Sequence, residues 1–228
     1  MKYTSAIAST GSGSIGGATA SHNRGGQYFR RRAIPVNPST PAQQAVRGFF
    51  STLQAAWNSV LTAGQRSAWD SYALNTPVTD SLGASVNAGG KGMYTRGNVP
   101  RLQAGLLRVD NGPVAFGLPA LSSPAITSMI ASTGVLTFSF VNTDTWATTA
   151  TSGLLVFVSR PQPISINGFK GPFRFAGIRL GAATPPTSPG TVTSPFTYNV
   201  GQRGFARFVA VTADGRLTGE FVLPFLGA

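Results

Sequence analysis

The sequence has no cysteine, which excludes a disulfide, a thiolate metal site and a cysteine nucleophile, and fits a protein assembled in a reducing cytoplasm. Histidine is almost as scarce. His22 is the only one, and it sits in the glycine-flanked polar stretch ATASHNRGG rather than in a setting that would position a catalytic base. The six carboxylates are Asp70, Asp80, Asp110, Asp144, Asp214 and Glu220, and only the last two lie within nine residues of each other. Metal sites draw on clustered His, Cys, Asp or Glu, so no metal, no cofactor and no catalytic residue is expected. The chain reads as something other than an enzyme. No apolar run approaches the ~18 residues a membrane span needs, and MKYTSAIASTGSGSIGG is too broken by Ser, Thr and Gly to resemble a signal peptide.

Gly11, Gly13 and Gly16 have the G-x-G-x-x-G spacing. A dinucleotide fingerprint needs a buried strand before it and a helix after it. Neither pattern is present, so these glycines read as flexible or turn-forming. Gly89 to Met93 contains a Gly-Lys pair but lacks the spacing and the hydroxyl of a phosphate loop.

What the chain does have is positive charge, glycine and proline. Lys and Arg number 18 against six acidic residues, a net charge of +12, and only Lys2, Lys91 and Lys170 are lysines. The arginine bias suits planar, multidentate contacts to carboxylates or phosphates. Eleven basic residues fall at or before Asp110 and seven after it, so the basic character is concentrated in the first half. A hydrophobic content of 42% is enough for a core. The 28 glycines and 16 prolines favour turns and short segments.

Three regions follow: an extended arm over 1–39, a helical domain over 40–110 and a β-sandwich domain over 111–228. In the arm, Asn23-Arg24-Gly25-Gly26 reads as a turn and Gln27 to Ile34 as a strand, giving a hairpin of roughly Ala18 to Pro35. Arg30, Arg31 and Arg32 place charge on both faces of that strand, which excludes burial in an apolar core. Arg24, Tyr28, Phe29, Arg30, Arg31 and Arg32, with Arg47 on the following helix, are the candidate interaction residues. Fully extended, ~40 residues would reach on the order of 130 Å.

Thr40-Pro41-Ala42-Gln43 opens a helix of roughly Pro41 to Leu61, and Thr62-Ala63-Gly64-Gln65 repeats the capping-box pattern for a second. The stripe Phe49, Phe50, Trp57, Trp69 and Tyr72 is expected to be the core of this helical hairpin. A third helix, roughly Lys91 to Leu107, is expected to have Met93, Tyr94, Val99, Leu102 and Leu106 on one face. Arg96, Arg101 and Arg108 would lie on the other.

From Asn111 onward the pattern is all β. Seven short segments carry the strand signal: Ala125–Ala131, Val135–Val141, Gly153–Ser159, Phe173–Leu180, Thr191–Val200, Phe205–Thr212 and Leu217–Phe225. Leu136, Phe138 and Phe140 alternate with Thr137 and Ser139, as in a half-buried strand. Ala213-Asp214-Gly215-Arg216 reads as the turn of the last hairpin. The expected fold is α+β: arm with hairpin, small helical hairpin, and an immunoglobulin- or fibronectin-like sandwich.

The runs GGATASHNRGGQYFRRRAIPVNPSTPAQQAVRGFF, LTAGQRSAWDSYA and GKGMYTRGNVPRLQAG, between Gly16 and Gly105, resemble a group of tailed-phage and prophage proteins. That group shows a glycine-rich start, an Arg-rich strand, a Pro-Asn-Pro step, a Leu-Thr-x-x-Gln-Arg-x-x-Trp helix and often a fibronectin-like C-terminal domain. The resemblance implies a virion structural protein assembled in the host cytoplasm: a capsid cement or decoration protein, or a connector or tail component. Its partners would be other virion proteins and copies of itself, with possible contact to packaged DNA. Two alternatives stand beside it. One is a nucleic-acid-binding protein using Tyr28, Phe29 and the neighbouring arginines. The other is a carbohydrate or host-surface binding module in which Trp146 and Tyr198 stack on sugars.

Overall fold

The computed structural model describes residues 13–23, 26–79 and 83–228. The fold is mixed helix and antiparallel sheet, and the chain divides into two compact units, Met1–Pro41 and Ala42–Ala228.

The first unit is less extended than expected. β1 (Gly13–Ile15), β2 (Ala18–Asn23) and β3 (Gly26–Arg31) form an antiparallel sheet in the order β1-β2-β3. β1 occupies the segment whose glycines read as flexible. Ile15 pairs with Ala18 around Gly16-Gly17, and Gly16 adopts φ +56°, a left-handed conformation that glycine takes without a Cβ penalty. Three strands therefore fold back over a stretch that a fully extended reckoning would have made the longest part of the reach. Arg32 to Thr40 has no regular structure.

The second unit opens with three helices: α1 (Pro41–Ser59), α2 (Ala63–Asn75) and α3 (Gly89–Gln103). Thr62 caps α2 as its sequence predicts. Its hydroxyl accepts from the Gln65 amide at 3.2 Å, and the Gln65 side chain accepts from the Thr62 amide at 2.9 Å. Thr62→Ala removes one arm of this reciprocal pair and should cost about 1 kcal/mol in chemical denaturation. A cost near zero would mean that packing alone holds the end of the helix.

The helical core is Leu53, Ala56, Leu61, Trp69, Tyr72, Ala73, Met93 and Tyr94. It differs from the expected aromatic stripe: Phe50 is exposed, Phe49 and Trp57 are half-buried, and α1 buries Leu53 and Ala56 instead. The cause is α3, which adds Tyr94 against both Trp57 and Trp69 at ring separations of 5.5 and 5.6 Å. Arg101 is a second departure. It is buried, whereas the helical periodicity placed it with exposed Arg96. A two-residue pairing of β4 (Val78–Thr79) with β5 (Ser85–Val86) precedes α3.

Tyr94 donates to Asp110 Oδ1 at 3.2 Å. Burial, reinforced by the Asp110 carboxylate, pushes its phenol from 10.0 up to about 12. The folded chain therefore holds this proton more tightly than the unfolded chain. The associated stability is fully present below about pH 10 and is lost as pH rises toward about 12. Denaturation midpoints measured across that window should fall, and Tyr94→Phe should flatten the decline.

The remaining strands form two sheets. β6 (Ala125–Ile130), β7 (Val135–Ser139) and β10 (Gly190–Thr193) make one, ordered β10-β7-β6. β8 (Gly153–Ser159), β9 (Phe173–Leu180), β11 (Arg203–Val211) and β12 (Phe221–Leu226) make the other, ordered β12-β11-β8-β9. Both are antiparallel throughout. Leu136 and Phe138 from β7 share a core with Leu154, Val156 and Val158 from β8 and Ala206, Phe208 and Ala210 from β11. Phe138 and Phe208 meet at 5.1 Å across the interior. Trp146, on the short helix α4 (Thr145–Thr148), closes one end of this core against Phe140.

All seven residues of β8 are buried, so both faces of this strand are covered. Opposite the core, Leu155, Phe157, Val209 and Val211 are backed by Ala104 and Leu106, which follow α3. Gly97 in α3 lies so close to the Ala213–Arg216 turn that a Cβ would come within 2.1 Å of the Gly215 carbonyl. Only glycine allows that approach. No helix among the described residues is long and apolar enough to cross a membrane.

Candidate interaction surface on the basic arm

Side chains alternate across a strand, so the cross-strand register sorts the arm sheet into two faces. Ser14, Thr19 and Arg30 form one row, with Ser21 and Tyr28 on the same face. A hydrogen bond of 2.8 Å joins the Ser14 and Thr19 hydroxyls. The other face carries Ile15, Ala18 and Arg31 in one row, then Ala20 opposite Phe29 and His22 opposite Gln27. Each face thus presents one arginine and one aromatic ring: hydroxyls accompany them on the first, small apolar side chains on the second. Arg32 follows directly, its amide donating to the Gly17 carbonyl at 2.8 Å.

Arg30, Arg31, Arg32 and Phe29 are exposed, and Tyr28 is half-buried. Among the described residues of Met1–Pro41 none is buried. That is the physical peculiarity of this unit. A small sheet ordinarily gains its stability from a covered apolar face, and this one has no core of its own. Ile15, Ile34 and Val36 are exposed as well. Of the remaining candidates, Arg47 belongs to the second unit and is exposed on α1, and Arg24 lies outside the described residues.

The carboxylates are engaged locally. Asp144 accepts from the Ser122 amide and hydroxyl at 2.9 and 2.7 Å. Asp110 pairs with Arg108 at 2.8 Å and Asp214 with Arg216 at 2.8 Å. Glu220 lies 3.5 Å from Arg207, and Asp70 accepts from the Gly90 amide at 3.1 Å. Asp80 lies outside the described residues. His22 is exposed on β2. Among the described residues no three metal-ligating side chains converge.

The sugar-stacking residues of the third sequence reading require correction. Trp146 is 1% exposed and Tyr198 is 3% exposed. Tyr198 packs on Phe225 at 5.2 Å and donates to the Ser159 carbonyl. Neither ring can stack on a ligand, because both are consumed by the core. Trp146 lay between two strand candidates and Tyr198 within the candidate Thr191–Val200, and nothing in their local pattern distinguished a core plug from a surface platform. Nor did the local pattern mark Arg207, which lies on β11 over Phe157 with its guanidinium 4.4 Å from the ring centroid. Only the pairing of β11 with β8 brings those two residues opposite each other. No protein-family model matches the chain, and no curated protein matches it significantly.

Proposed function

We propose that the protein is a structural component of a tailed-bacteriophage virion, acting through subunit contacts made by its basic arm. It would serve as a capsid cement or decoration protein, or as a connector or tail protein. The observation that carries this reading is the arm sheet itself: two six-residue strands beside a short one, an arginine and an aromatic ring on each face, and no buried residue among those described. Such a sheet exposes the apolar area and planar cations that protein interfaces favour, and a neighbouring subunit would supply the missing cover. The sequence resemblance of residues 16–105 to phage and prophage proteins points the same way. So does the strand order of the second unit, β6-β7-β10 against β9-β8-β11-β12, which we read as an immunoglobulin- or fibronectin-like sandwich. A rigid sandwich with a sticky arm is a plan for holding neighbours, and we assign the chain no catalytic role.

Cryo-electron microscopy of the native particle tests this. The expected result is a symmetric assembly in which Arg30, Arg31 and Arg32 contact another subunit. A chain that purifies as a monomer, with no affinity for virion components, would overturn it. Tight binding to DNA with a steep salt dependence, and none to virion proteins, would move the arm to the nucleic-acid reading.

A further inference from the structure

The outer face of the four-stranded sheet is only partly covered. Ala104 and Leu106 pack on the outer cluster of Leu155, Phe157, Val209 and Val211, and beside them the helices and the sheet leave a gap. A half-open trough of about 1040 Å³ lies there, within the second unit. Its lining is mainly apolar: half-buried Val99 and Leu217 face it, with the buried Phe157 and Val209 beneath. Exposed Phe50 and Leu118 extend that surface to the rim.

The polar lining is unbalanced. Among the described residues, Lys91, Arg96 and Arg207 line the trough with one carboxylate, Glu220, which is already paired with Arg207 at 3.5 Å. Arg207 is pinned in place by the ring faces of Phe157 and Phe173, at 4.4 and 5.4 Å. Lys91 and Arg96 have no described carboxylate within salt-bridge distance. An apolar lining bordered by cations in excess of the described carboxylates selects an occupant that is apolar and anionic together.

We infer that this trough docks a segment of a partner protein in which carboxylates alternate with aromatic or aliphatic side chains. Three comparisons narrow the occupant to that class. A second copy of this chain is a poor donor, because it has only six acidic residues and the five described ones are locally engaged. Single-stranded nucleic acid needs free aromatic platforms, and the guanidinium of Arg207 covers the Phe157 ring. A small ligand is largely enclosed by its pocket, whereas a trough of this size and openness suits a chain passing through it. Every residue given above for the trough belongs to Ala42–Ala228.

The test is fluorescence anisotropy on the full chain with a labelled seven-residue peptide alternating Glu with Phe and Leu. Two controls accompany it: the same peptide with Gln for Glu, and one with Gly for Phe and Leu. The first peptide should bind about tenfold more tightly than either control, and Arg96→Glu should weaken it by a similar factor. Arg96 is exposed, so this variant should keep its melting temperature. The triple variant Arg30→Ser, Arg31→Ser, Arg32→Ser should bind as the parent does. Equal binding of all three peptides, or no effect of Arg96→Glu, would overturn the inference. Loss of binding in the triple variant alone would place the peptide on the arm and overturn it too.

Discussion

Arg101→Met should lower the stability of the Ala42–Ala228 unit by about 3–5 kcal/mol, the largest single-residue effect expected among the charged side chains. Arg101 is 2% exposed, and its guanidinium donates to three carbonyls: Leu107 at 2.9 Å, Thr151 at 3.0 Å and Thr212 at 2.8 Å. These belong to the segment after α3, the turn before β8 and the end of β11, so one side chain fastens the helices to the four-stranded sheet. Burial pushes the pKa of Arg101 down, with the nearby Asp214 carboxylate opposing it. Removing the cation relieves that desolvation. It also strands three carbonyls whose geometry was built around the donor fork, and each such loss costs about 1–3 kcal/mol where water cannot enter. The stranded acceptors outweigh the relief, and the midpoint of thermal unfolding should drop by roughly 10 °C. Arg101→Lys keeps the charge but not the planar fork, and should recover only part of the loss. A change below about 1 kcal/mol for Arg101→Met would show that water satisfies the carbonyls and that packing alone joins helices to sheet.

The second large effect concerns assembly and leaves stability alone. Replacing Arg30, Arg31 and Arg32 together with serine removes three exposed cations from a unit none of whose described residues is buried. Surface changes of this kind shift stability by no more than about 0.5 kcal/mol each, so the melting temperature should hold. Incorporation into particles should nevertheless collapse, because charged and aromatic anchors carry a disproportionate share of interface energy. Quantifying the variant chain in particles purified from a host supplying it in place of the parent gives the measurement. Incorporation at the parental level would remove the arm from the interface.

Much of the second unit was legible because its signals are local. The alternation at Leu136, Phe138 and Phe140, the turn residues between strands and the Thr62–Gln65 pair each need only a few neighbouring residues to be read. Strand order and the sharing of one core by two sheets depend on contacts across the chain, and only the coordinates display them. Arg101 was misread for the same reason. Helical periodicity assigns a charged residue to solvent, but two of its three acceptors come from positions 50 and 111 residues away. Trp146, Tyr198 and Phe50 failed similarly: the ring is visible in the sequence, and what covers it is not. β1 was missed because three glycine-flanked residues carry no hydrophobic pattern; the strand exists through its pairing with β2. Of the candidate site, the exposed arginines and the alternating faces of β3 followed from sequence, whereas the trough depends on how α1, α3 and the four-stranded sheet are placed against one another.

Amide hydrogen exchange in β2 and β3, measured on the free chain and again in the native particle, bears most directly on the claim that the arm takes its cover from a partner. A sheet without a core should exchange rapidly in the free chain and slow by orders of magnitude on assembly, while β8 stays protected in both states. Arm amides as slow as those of β8 in the free chain would contradict the account.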